Sequence, residues 1–68
     1  MTVGSLVHGT LVSLQSIEAN LSTLAAKTND LEAKKAFHQS ALNTQEVIRE
    51  IQSRKAEIEN EEPQYQQQ

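Results

Sequence analysis

Histidine is the side chain that titrates near neutral pH, and this sequence has two, His8 and His38. A metal site or a proton relay needs a second ligand or a carboxylate beside the imidazole. In an antiparallel hairpin turning near Asn29, His8 lies opposite Glu50 and His38 opposite Asn20. The two imidazoles are then about a dozen residues apart along the axis, or ~18 Å at 1.5 Å per residue. They cannot share a site within one chain, and both read as solvated polar positions. A di-iron carboxylate centre in a helical bundle needs Glu-x-x-His pairs facing inward. Glu32, Glu46 and Glu50 have no histidine three residues on. Cysteine is absent, which excludes disulfides and thiolate metal sites. No glycine-rich phosphate loop and no nucleophile with a base at useful spacing occurs. The expectation is a protein that is not an enzyme, with no cofactor, no metal and no small-molecule substrate.

One stretch has a chemistry of its own. Glu57 to Tyr65 packs four acids, a proline and a tyrosine into nine residues. Glu61, Glu62, Pro63 and Tyr65 could form a short docking motif, with the tyrosine as the anchor in a partner's pocket. The plainer alternative is an acidic helix end followed by a frayed tail. The net charge of −3 argues against a nucleic-acid backbone as partner. Phe37 and Tyr65 are the only aromatics, so the stacking platforms of single-strand binders are missing.

These residues must be carried by helices. Val3, Val7, Thr10, Leu14, Ile17, Leu21, Leu24 and Thr28 alternate spacings of four and three, the pattern of an apolar heptad seam. Leu6, Leu11 and Ala25 widen the stripe to that of a bundle helix. A helix over about residues 2–27 follows, with Thr2 or Ser5 as its cap. Residues 1–27 hold only Glu18 and Lys27 as charges, and a face without charge is easier to bury against protein. The opposite side carries a second heptad of mostly small residues: Ser5, Gly9, Val12, Ser16, Ala19, Thr23 and Ala26. Gly9, Val12 and Ser16 are candidates for a second docking surface there. The alternative is a low-charge face left in water.

Thr28, Asn29 and Asp30 favour caps and turns over helix interiors, so a turn over 28–30 is expected; with no glycine C-cap there, one continuous helix is the alternative. Asn29 with Glu32 three residues later resembles a capping box. A second helix then runs over about residues 30–61, until Pro63 stops it. Its stripe is Ala33, Phe37, Ser40 or Ala41, Thr44, Val47 or Ile48, Ile51 and Ile58. Residues 63–68 are glutamine-rich and read as a disordered tail. The whole is one domain, 1–62, of fold class all-α: an antiparallel two-helix hairpin.

A chain of 68 residues rarely draws more than ~3–5 kcal/mol from one core without disulfides, metal or oligomerisation. Self-association is the remedy this composition leaves. Two hairpins joined through their stripes make a homo-oligomeric four-helix bundle, and a twofold dimer is the commonest arrangement. The expected interface is Val7, Leu11, Leu14, Ile17, Leu21 and Leu24 with Phe37, Ile48, Ile51 and Ile58. The start has no positive, apolar targeting segment, and no stretch nears the ~18 apolar residues of a membrane span. A cytoplasmic location is the expectation.

The residues also resemble a known family. Met1-Thr2-Val3-Gly4, Thr10-Leu11, Leu14, Thr28-x-Asp30, Ala33-Lys34, Phe37, Arg54 and Ile58-Glu59-x-Glu61-Glu62-Pro63-Gln64-Tyr65 look like domain-of-unknown-function family 1657. The likeness runs nearly end to end, and its two ends are the specific parts. It implies a small protein of endospore-forming bacteria, often encoded beside the stage V sporulation A proteins. It implies a non-catalytic role in sporulation or germination, in the sporulating cell or spore, with docking on a spore inner-membrane protein or peripheral association there. Phe37 stands where many relatives have tyrosine, so no phenolic hydroxyl acts at that position. The alternative is a purely structural spore protein without a specific partner.

Overall fold

Thr2 opens the first helix. Its hydroxyl accepts from the Ser5 backbone N–H at 3.1 Å, which satisfies one of the donors a helix N-terminus leaves unpaired. The computed structural model describes residues 2–61, with side chains through Glu59. Two elements fill that range: α1, Val3–Lys27, and α2, Leu31–Glu61. They pack antiparallel as a hairpin 48 × 18 × 11 Å in extent. The 63–68 tail, with Pro63 and Tyr65, lies outside the described residues, as does Glu62.

The turn is made without glycine and, among the described residues, without any positive φ. Thr28 is extended (φ −73°, ψ 143°), and its N–H donates to the Leu24 carbonyl. Its hydroxyl accepts from the Asp30 N–H at 3.2 Å. Asp30 then caps α2, its Oδ1 accepting from the Ala33 N–H at 3.1 Å. The expected cap, Asn29, is therefore displaced by one residue. Asp30 serves better because a carboxylate also complements the positive N-terminal end of the helix dipole. Lys34 Nζ donates back to the Ala25 carbonyl at 2.6 Å, which satisfies a carbonyl that the end of α1 leaves open. The two helices are thus tied at the turn by side chains from α2.

The contact between them follows a strict heptad. The residues of α1 and its cap that are not exposed are Gly4, Val7, Leu11, Leu14, Glu18, Leu21, Ala25 and Thr28. The buried apolar core residues among those described are Leu11 from α1, with Ala41 and Ile48 from α2. Half-buried Phe37, Thr44, Ile51 and Ile58 extend the α2 side. The sequence left Ser40 or Ala41 and Val47 or Ile48 open; Ala41 and Ile48 turn inward, while Ser40 and Val47 face out.

On α1 the expected seam is corrected by one column. Val7, Leu14, Leu21 and Thr28 lie in the contact as expected. Val3, Thr10, Ile17 and Leu24 do not; they are exposed, and Gly4, Leu11, Glu18 and Ala25 take their place. Both columns flank the shared one by about 50° on a helix of 3.6 residues per turn. The apolar stripe is wide enough to offer either edge, and packing against α2 selects one. Glu18 is tolerated in the seam because Gln45 Nε2 donates to its Oε2 at 2.6 Å. That bond joins the two helices near the middle of α1. His38 lines a groove with Ala25 and Ala26, closer to the turn than a position opposite Asn20.

Candidate interaction surface

The side chains that meet across the hairpin define its two broad faces. Ala25 and Ala26 share a groove with Lys34, Lys35 and His38, and Glu18 meets Gln45. These contacts place the Leu11–Glu18–Ala25 column of α1 beside the His38–Gln45 column of α2. By helical phase, the Val3–Thr10–Ile17–Leu24 column lies across the seam, on the other face. There it flanks the α2 column of Ala33, Ser40, Val47 and Arg54.

That second face is apolar and open. Ile17 is 48 %, Leu24 47 %, Val3 45 % and Val47 47 % exposed, and Leu6 at its edge is 55 % exposed. Val7, Leu14 and Leu21 beside them are only half-buried. Burying a leucine or isoleucine side chain fully contributes about 1.5–3 kcal/mol over leaving it wet, so the uncovered potential is large for a chain this short. Leu11 and Ile48, expected at an oligomer interface, are buried inside the hairpin itself. Leu31, Leu42 and Val12 are also exposed, but their phases place them on other sides, and single exposed apolar residues are ordinary.

Two hydroxyls on and near the apolar face are internally satisfied. Thr10 Oγ1 donates to the Leu6 carbonyl at 2.9 Å and Thr44 Oγ1 to the Ser40 carbonyl at 2.8 Å. Hydroxyls bonded to the preceding turn can be covered without leaving a donor unpaired. Ion pairs lie at the open end. Arg54 pairs with Glu57 at 3.1 Å and Glu50 at 3.5 Å. The hydrogen bond and charge of Glu57, with the charge of Glu50, hold its guanidinium pKa above the ordinary value. Lys55 pairs with Glu59 at 3.1 Å in a half-buried position. The remaining surface of α1 on this face is uncharged until Lys27.

The back of α1 tells a different story. Gly9, Val12 and Ser16 are all exposed, and a Cβ built on Gly9 meets nothing within 4 Å. Within the hairpin this glycine has no packing reason. His8 and His38 are both exposed. Among the described residues, no three histidine, aspartate or glutamate side chains come together to hold a metal ion. No helix there is long and apolar enough to cross a membrane. Of the acidic docking motif, Glu61 ends α2, while its side chain and Glu62, Pro63 and Tyr65 lie outside the described residues.

Sequence reasoning missed Lys34 and Asp30 as the residues that tie the turn. A lysine after a helix break and an aspartate directly before an apolar run were the available signals. No curated protein and no solved structure matches this chain. A family model described as "Protein of unknown function (DUF1657)" matches residues 7–54, a span that takes in the turn and most of both contacting helices. It stops short of both termini, the parts that carry the most specific likeness. By that match the chain belongs to the DUF1657 family.

Proposed function

We propose that this protein is a non-catalytic helical module that acts by self-association and protein docking. The observation that carries this reading is the open face of Val3, Leu6, Ile17, Leu24 and Val47. A hairpin with three buried apolar core residues among those described has little core of its own, and a chain of this size normally needs a second element to become stable. A second layer of helices on the open face completes a four-helix bundle. The absence of charge along α1 on that face lowers the cost of covering it.

The setting we propose is the sporulating cell or spore, where the module docks on inner-membrane complexes. This follows from the sporulation context of the family likeness. Sedimentation equilibrium of the purified chain tests the core of the reading. A mass of two or more chains at micromolar concentration is the expected result. A cooperatively melting single chain would overturn it. A membrane-fraction pull-down from sporulating cells tests the setting. The expected result is one dominant membrane partner, and no enriched membrane protein would overturn the setting.

A further inference from the structure

The open face has an orientation built into it. We propose that its occupant is a second copy of the chain, related by a twofold axis perpendicular to the helices. In this dimer α1 lies across α1 of the partner, α2 across α2, and the two turns point to opposite ends. This rests on the self-association reading above and specifies its geometry.

The available area suits this occupant. A face of 48 × 18 Å offers on the order of 800 Å² per copy, the size of a standard stable interface. The face is also self-complementary about one level. Glu18 and Gln45 meet across the seam, which brings the midpoint of α1, near Gln15 and Ser16, close to the level of Val47 on α2. An axis at that level overlaps both helices along nearly their full lengths. It sets Ile17 against the partner's Leu14, and Leu24 against the partner's Val7. The two Val47 side chains then meet at the axis.

A twofold axis parallel to the helices is the other way to close the same face. It would put α1 across the partner's α2, with both turns at one end. Charge separates the two. Residues 27–38 hold Lys27, Lys34 and Lys35 against Asp30 and Glu32, a net +1. Residues 50–59 hold Glu50, Glu57 and Glu59 against Arg54 and Lys55, a net −1. The perpendicular axis lays the basic turn end of each copy on the acidic open end of the other. The parallel axis lays the acidic ends on each other, where like charges cost association.

The chain lacks cysteine, so engineered cysteines report the geometry directly. Disulfides form only where Cα atoms come within about 7 Å. Val47→Cys alone should oxidise to a covalent dimer. A mixture of Ile17→Cys and Val47→Cys chains should form no mixed disulfide. Mixed disulfides without the Val47→Cys homodimer would overturn the proposed axis while leaving self-association standing. Sedimentation separates the two claims, because a single-chain mass overturns both and a mass above two chains overturns the dimer. Salt gives an independent measure on the unaltered protein. Association should weaken at least severalfold between low and 0.5 M salt, as screening removes the end-to-end attraction. Association that strengthens with salt would overturn the arrangement.

Discussion

On one broad face of the hairpin Glu18 meets Gln45, and His38 lines a groove with Lys34 and Lys35. On the other, Ile17, Leu24 and Val47 stand open beside half-buried Leu14 and Leu21. Both faces come from the same two helices. The difference arises because the helices do not meet along the centre of their apolar stripes. Each is rotated so that the edge carrying Leu11 and Ala25, or Ala41 and Ile48, touches its neighbour. The other edge remains for something else. A hairpin that satisfied itself would centre its stripes and leave two polar faces. The off-centre contact leaves one apolar edge of each helix uncovered, which is what the bundle proposed above requires.

The largest effect should come from removing the contact that sets the rotation. Ile48→Ala should cost about 3 kcal/mol, from lost transfer and the cavity left behind. Urea titration followed by circular dichroism should show the midpoint falling, with much of the chain unfolded in buffer. A change under about 1 kcal/mol would mean that Ile48 does not anchor the seam. Next comes the open face itself. Ile17→Asn and Leu24→Asn should each weaken association by about 1.5–3 kcal/mol, the value of burying such a side chain. Analytical ultracentrifugation should show the pair as single chains at concentrations where the parent is assembled. Val12→Asn, on the back of α1, should leave the mass unchanged. If Val12→Asn dissociates the protein instead, the two sides have been assigned the wrong way round.

Smaller changes sharpen the picture at the turn and on the back of α1. Asp30→Ala removes the cap of α2 and should cost about 1 kcal/mol, read as a lower melting temperature. The same substitution at Asn29 should matter much less. Gly9→Ala should stabilise by ~0.5–1 kcal/mol, because the helix gains propensity and nothing within 4 Å obstructs the added methyl. A Gly9→Ala protein that melts higher but no longer assembles would show the back of α1 to be an interface after all.

Much of this architecture was legible from residue order. The break after Lys27 could be read from three consecutive cap-forming residues, and both helices from their apolar periodicity. Which residue caps α2 was misplaced by one, because Asn29 and Asp30 are both good caps and the backbone geometry places Asp30 at the helix start. The seam of α1 was half right. Val7, Leu14 and Leu21 belong to any rotation of the stripe, whereas Ile17 and Leu11 compete for the inward position. Hydrophobicity favours Ile17 and Leu24 over Glu18 and Ala25 in the seam. The structure takes the less apolar column because Gln45 satisfies the Glu18 carboxylate and small Ala25 fits beside Lys34. That compensation comes from the other helix, so no pattern confined to α1 could reveal it.

By itself, then, the sequence determined two amphipathic helices, the position of the turn between them and an apolar surface too broad for one neighbour. These follow from local propensity and periodicity, which act between residues a few positions apart. Tertiary packing alone decided the rotation of each helix, the level at which Glu18 meets Gln45, and hence which apolar residues stay open. Those choices depend on contacts between residues far apart in the chain, whose relative placement no local rule specifies.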